Sequence, residues 1–216
     1  MTDLPTFAGF PEDAFRFFAE LRADNSKAFW EASKQRYLDN VRAPLEALAR
    51  ELEGAFGEWH MFRPYRDLRF AKDKRPYKEQ ASVLFGGRGP GVVGGQYLEI
   101  AADGLYAGFG AYRLRDDHLR HYRRAVADDR SGAELEEIVA ELLAKGYQLD
   151  GEVLRRAPQG FEEDHPRAAL LKRKGLFAGS AFGVEPWLHG PEALERIVKV
   201  FVDGERLCAW FRSKVA

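Results

Sequence analysis

QYLEIAADGLYAGFGAY, residues 96–112, alternates in character on both sides of Asp103-Gly104. A period of two is the strand period. Asp-Gly between two such runs signals a hairpin with a two-residue turn. The stretch predicts an antiparallel strand pair in the middle of the chain. Everything around it has to be read as what packs on that pair.

Toward the N-terminus the same period recurs. YKEQASVLF, residues 77–85, puts Tyr77, Ala81, Val83 and Phe85 on one face. YRDLRFA, residues 65–71, puts Leu68 and Phe70 with Arg66, and Tyr65 with Asp67 and Arg69. KDKRP between them reads as a turn, so residues 65–85 predict another hairpin. GYQLDGEVLRR, residues 146–156, adds a fifth strand.

Outside these runs the period lengthens. PEDAFRFFAELRAD has Pro11 at a first helical position, acids in the first turn, and Phe15, Phe18 and Leu21 at helical spacing. Asp24, Asn25 and Ser26 are N-cap candidates for KAFWEASKQRYLDNV. Pro44 either kinks that helix or opens another through Leu45, Leu48, Leu52 and Phe56. Helices return at 116–129 and 133–145. Asp164-His165-Pro166 starts one that Gly175 stops, and two more lie between Pro191 and Lys214.

Helices, then consecutive hairpins, then helices predict an α+β fold. The expected architecture is a mostly antiparallel sheet of about four or five strands, built from two hairpins, with helices from both chain ends packed on it. Residues 1–216 read as a single domain, with no repeat or linker.

Composition supports a self-sufficient core: 45% of residues are hydrophobic and 13% aromatic. A net charge of -1 gives no global pull toward nucleic acid or an anionic membrane. Cys208 is the only cysteine, which excludes an intrachain disulfide and a cysteine zinc cluster. MTDLPTFAGFPEDAF lacks the basic and apolar regions of a secretory signal, and no apolar run approaches the ~18 residues of a membrane span. The expectation is a cytoplasmic protein with no membrane partner.

Against that neutral background, RPYRDLRFAKDKRPYK, residues 63–78, holds seven bases and two acids. Like charges held this close oppose folding unless acids from elsewhere or a bound anion offset them. Arginine forks suit phosphate and carboxylate, and lysine adds a point charge. Arg63, Arg66, Arg69 and Lys74 are therefore the candidates to hold an anion. Tyr77 would hydrogen-bond or stack, and Asp67 would orient an arginine.

Trp30, Lys34 and Tyr37 share a helical face. A lysine between two aromatics either snorkels from a packed surface or lines a pocket wall, so Trp30 and Lys34 join the ligand set. His165 is a proton-transfer candidate because an unperturbed imidazole titrates near neutrality, and Asp67 is a second, separate candidate. His165 is equally a helix cap, and no reaction is assigned.

Three readings follow. The first is a pocket for a phosphorylated or carboxylated small molecule. The second is a nucleic-acid module, in which the basic hairpin joins RHYRR and LKRK along a phosphate backbone. The third is a structural salt-bridge network with no ligand.

Other motifs carry less. Gly89-x-Gly91-x-x-Gly94 matches a dinucleotide fingerprint, but a strand follows where that fingerprint needs a helix. The loop reads instead as a connection between hairpins, with Arg88 at its tip. His118 and His121 stand three apart on a helix with no clear third ligand, beside arginines that repel a cation. No cofactor or metal is predicted.

The basic string resembles the signature of domain of unknown function 2461, an uncharacterised and mainly bacterial family. The matching residues are Arg63, Arg66, Asp67, Arg69, Phe70, Asp73, Lys74 and Tyr77. DNSKAFWEASKQRY is similar to the family's helical segment. LRRAPQGFEEDHPRAALLKRK is similar to a later one through Pro158, Gly160, Phe161, Asp164, His165 and Pro166. The chain departs from the family at Ala71, where serine is frequent, at Glu79-Gln80, where threonine-histidine is frequent, and at Arg113-Leu114, where proline often follows Tyr112. The resemblance implies membership and no activity.

Overall fold

The computed structural model describes residues 6–69, 72–87 and 92–216. Among these, six strands form one antiparallel sheet in the order β1-β2-β3-β4-β6-β5. They are β1 Trp59–Met61, β2 Gln80–Phe85, β3 Gly95–Ala101, β4 Gly104–Ala111, β5 Gln148–Asp150 and β6 Leu176–Phe182. The α+β class holds, with six strands where four or five were expected. Two of the six were not expected: β1, WHM, and β6, LFAGSAF. The first four residues of β6 are all buried, so it shows no alternation to read.

The central hairpin forms one residue earlier than its sequence suggests. Ala102 and Asp103 make the turn, and Gly104 opens β4 with φ +125. A Cβ at Gly104 would lie 2.1 Å from the Phe182 carbonyl oxygen. The glycine thus permits a close backbone approach as well as a backbone conformation closed to other residues.

The described residues group into two compact units. The first is 6–87, 97–107 and 181–199; the second is 92–96, 108–180 and 200–216. The division falls inside β3, β4 and β6.

In the first unit, α1 Glu12–Ala23 follows Pro11, carries Glu12 and Asp13 in its first turn, and buries Phe15, Phe17, Phe18 and Leu21. Ser26 caps α2 Lys27–Tyr37, its hydroxyl accepting from the Phe29 N–H at 3.1 Å. Arg36 ties α2 to α1, donating to Asp13 at 2.6 Å and to Glu20 at 2.5 Å. These partners hold both carboxyls below their usual range. A π-helical turn, Leu38–Arg42, then leads into α3 Ala43–Phe56. Pro44 has no N–H for the ordinary ladder, and the Ala43 N–H reaches back to the Leu38 carbonyl. The core of this unit includes Leu45, Leu48 and Leu52 of α3, Ala81, Val83 and Phe85 of β2, and Leu98 and Ile100 of β3.

In the second unit, α4 Asp116–Ala127 and α5 Asp129–Ala144 accompany α6 Ala168–Leu171 and α8 Glu205–Lys214. Helix α7, Glu192–Asp203, begins in the first unit and ends in the second. Tyr122 stacks on Phe211 at 5.9 Å and meets Trp210 edge-on at 6.1 Å. Burial pushes the Cys208 thiol up to about 12, in keeping with a core position. The His121 ring nitrogen lies 3.4 Å from the Val215 carbonyl oxygen. No group of three or more His, Cys, Asp or Glu side chains suited to a metal occurs among the described residues. No helix among them is long and apolar enough to cross a membrane.

Candidate functional site

The basic string lies in the loop that joins β1 to β2. The two strands pair antiparallel, with Trp59 opposite Phe85 and Met61 opposite Val83. Beyond them the arms of the loop meet once more, at Tyr65 and Tyr77. There Arg66 N–H donates to the Pro76 carbonyl at 2.9 Å and Lys78 N–H to the Pro64 carbonyl at 2.7 Å. The strand expected over 65–71 does not form. Pro64 and Pro76 remove two ladder donors. Asp67 accepts from the Arg69 N–H at 3.2 Å and from its guanidinium at 2.7 Å, and such local bonds compete with a ladder. The charge alternation that resembles a strand face is this ion pair. Phe70, Ala71, and the glycine-loop positions Arg88, Gly89 and Gly91 lie outside the described residues.

A side chain from the helical layer registers the loop. The Asn25 amide donates to the Tyr77 carbonyl at 3.1 Å and accepts from the Tyr77 N–H at 3.0 Å. It reproduces the exchange that a neighbouring strand would make. Below it, Trp30 stacks on Tyr77 with ring centroids 4.4 Å apart and planes 12° from parallel. Trp30 is 2% exposed and Tyr77 4%. Trp30 also meets Tyr37 at 5.0 Å and Tyr65 at 5.9 Å. The two predicted site aromatics are thus packed against each other, while Lys34, one turn along α2 from Trp30, is exposed.

The guanidiniums are largely matched to acids. Arg66 pairs with Asp73 at 2.6 Å, and Arg75 pairs with the same Asp73 at 2.7 Å and with Glu79. Arg69 pairs with Asp67 at 2.7 Å. Glu79 also reaches Arg22 at 3.4 Å, which holds Asp103 at 2.8 Å. Arg75 and then Arg66 hold the Asp73 carboxyl well below its usual range, and Arg69 does the same for Asp67. Lys74 donates to the Leu68 carbonyl at 3.3 Å.

Counting Glu79 with Asp67 and Asp73, seven bases less three acids leaves a surplus of four. Among the described residues no carboxylate lies within ion-pair distance of Arg63, Lys72 or Lys78.

A cavity of about 450 Å³ opens here, lined by Arg66, Asp67, Arg75, Tyr77, Lys78, Glu79 and Gln80. Of the expected ligand residues, Arg66, Asp67 and Tyr77 line it. Arg63 is close enough to act electrostatically on both Asp67 and Lys78. Arg69, Lys74, Trp30 and Lys34 are not among the lining residues. His165 belongs to the second unit, where its Nδ1 accepts from the Arg167 N–H at 3.0 Å and its ring meets Phe161 edge-on.

Lys78 and its neighbours on β3 were not singled out in the sequence. Lys78 Nζ sits 5.2 Å from the Phe62 ring centroid. Burial, and then the Arg63 charge, push the ammonium below its usual range. Ser82 stands opposite Glu99 across the sheet, and the Tyr97 hydroxyl donates to Glu99 Oε2 at 2.5 Å. Burial raises the Glu99 carboxyl, while the Tyr97 hydrogen bond and the Lys78 charge oppose that rise.

A stability profile follows from the Glu99 shift. Below its usual value of 4.5 the folded and unfolded chains both hold the proton. Between that value and the raised one, the folded chain alone holds it. The contribution is therefore full at low pH and is lost as pH rises through the folded value. Glu99→Gln should flatten the melting temperature against pH across that window and leave the protein at least as stable at neutrality. Superimposable profiles would contradict the assignment.

A family model described as a conserved hypothetical protein, domain of unknown function 2461, matches residues 13–210. No curated protein matches the sequence.

Proposed function

The chain belongs to this conserved hypothetical family, and we propose that its β1–β2 loop binds one small molecule bearing a phosphate or carboxylate. One observation carries the reading. Arg63 and Lys78 stand close enough for the first to disfavour the charge on the second, and neither has a carboxylate within ion-pair distance among the described residues. An anion beside the pair relieves that repulsion. Arg66, whose Nη1 is bonded to Asp73, has its remaining N–H groups for the ligand. The paired Arg69 and Arg75 hold the loop in shape, so the structural reading applies to that part of the set.

Melting the protein in phosphate, sulfate and short single strands at two salt concentrations tests this. At 100 times its dissociation constant, phosphate should stabilise by about 2.7 kcal/mol. Lys78→Met should abolish that gain. A contact with one anion predicts a shallow salt dependence, whereas a strand tracking several phosphates predicts a steep one. Absence of stabilisation by any anion would leave the loop purely structural.

A further inference from the structure

Ten lysines occur in the chain, and Lys78, Lys172 and Lys174 are the half-buried ones. Lys172 pairs with Glu163 and Lys174 with Glu152. Lys78 alone of the three has no carboxylate within ion-pair distance among the described residues, and it lines the cavity. The Phe62 ring covers one side of its amine. Arg63 adds a like charge, and on β3 the hydrogen-bonded Tyr97 and Glu99 supply an acid that senses the lysine. A partly desolvated amine beside a second cation is a setting in which lysine becomes a nucleophile.

We propose that Lys78 forms an imine with a small carbonyl compound that also carries a carboxylate, a 2-oxo acid being the simplest. This rests on the anion reading for its choice of substrate: Arg63 and Arg66 take the carboxylate and set the carbonyl carbon at Nζ. The neutral amine attacks that carbon and a C–N bond forms. The amine's two protons pass by way of solvent to the former carbonyl oxygen, and that oxygen leaves as water. The product is the C=N bond, and no oxidant or reductant is consumed.

The charged groups about Lys78 are Arg63, Arg66, Asp67, Arg75 and Glu79 of the loop and Glu99 of β3. The depressed ammonium means that the reactive form appears at lower pH than for an exposed lysine.

The test incubates the intact protein with pyruvate and sodium borohydride and maps reduced adducts by peptide mass spectrometry. Lys78 should be modified in clear preference to the exposed Lys72 and Lys74. Phosphate should suppress the adduct, and acetone, which lacks the carboxylate, should give far less. Lys78→Arg, which retains the positive charge but has no primary amine, should lose the adduct.

Uniform modification of the lysines, or an unmodified Lys78, overturns the proposal whether or not phosphate binds. Preferential Lys78 modification that phosphate leaves untouched sinks the anion reading and supports the reactive amine. Adduct mapping on the wild-type protein decides the question even if the arginine variant fails to fold.

Discussion

Trp30→Ala should destabilise the protein by about 3–5 kcal/mol, the usual loss when a fully buried tryptophan is truncated. The indole touches four rings: it stacks on Tyr77 at 4.4 Å and packs against Tyr37 at 5.0 Å, Tyr65 at 5.9 Å and Phe17 at 6.2 Å. Three of those rings lie on two segments far apart in sequence, α2 and the basic loop. Their loss opens a cavity that the helix and the two loop arms cannot fill together. The midpoint of urea unfolding should fall at an unchanged slope. Because Tyr77 lines the proposed pocket, phosphate stabilisation should weaken with it. A loss under about 1 kcal/mol would mean that the loop rests on its ion pairs and not on this stack.

Arg167→Met should be the next most costly change, at about 2–4 kcal/mol, from carbonyls left buried without a donor. Arg167 is 8% exposed. Its Nε donates to the Val126 carbonyl at 2.6 Å and Nη2 to the Ala127 carbonyl at 3.1 Å, where α4 ends. Nη2 also reaches Asp129 at 3.0 Å. A cation at the C-terminal end of a helix is favoured by the helix dipole as well as by these bonds. The fit depends on Gly132, where a Cβ would stand 2.5 Å from Arg167 Nε. Methionine retains an apolar stem but supplies no donor. Thermal unfolding of Arg167→Lys separates charge from geometry: lysine should recover only part of the loss, since it lacks the planar fork. Full recovery would assign the effect to charge alone.

What could be read in advance depended on how local the cause was. The central hairpin, the Ser26 cap and the α1 stripe each reflect residues within a few positions of one another. They were legible. The expected strand over 65–71 failed because Asp67 and Arg69, two apart, satisfy each other, and the sequence shows the same alternation whether charges pair along the chain or across a ladder. Strand β6 was hidden by burial on both of its faces. Within the site, the surplus of base was plain. Which bases have acids within reach depended on Glu79, and the setting of Lys78 depended on Glu99, twenty-one residues away on another strand. Glu99 reads as an ordinary polar position in an alternating strand until its cross-sheet neighbours are known. Arg167 offered no signal at all, since its acceptors, two backbone carbonyls of α4 and the Asp129 carboxylate, lie far away in sequence.

The π-helical turn before Pro44 has a geometric consequence. Tyr37 and Leu45 are both buried, yet they stand eight residues apart. In an unbroken α-helix eight residues overshoot two full turns by about 80°, which would swing Leu45 off the side that Tyr37 faces. Winding Leu38–Arg42 more loosely cancels that overshoot. The irregularity therefore works as a vernier: it absorbs one surplus residue and brings two helical segments back into phase, so that a single seam of side chains runs past a proline.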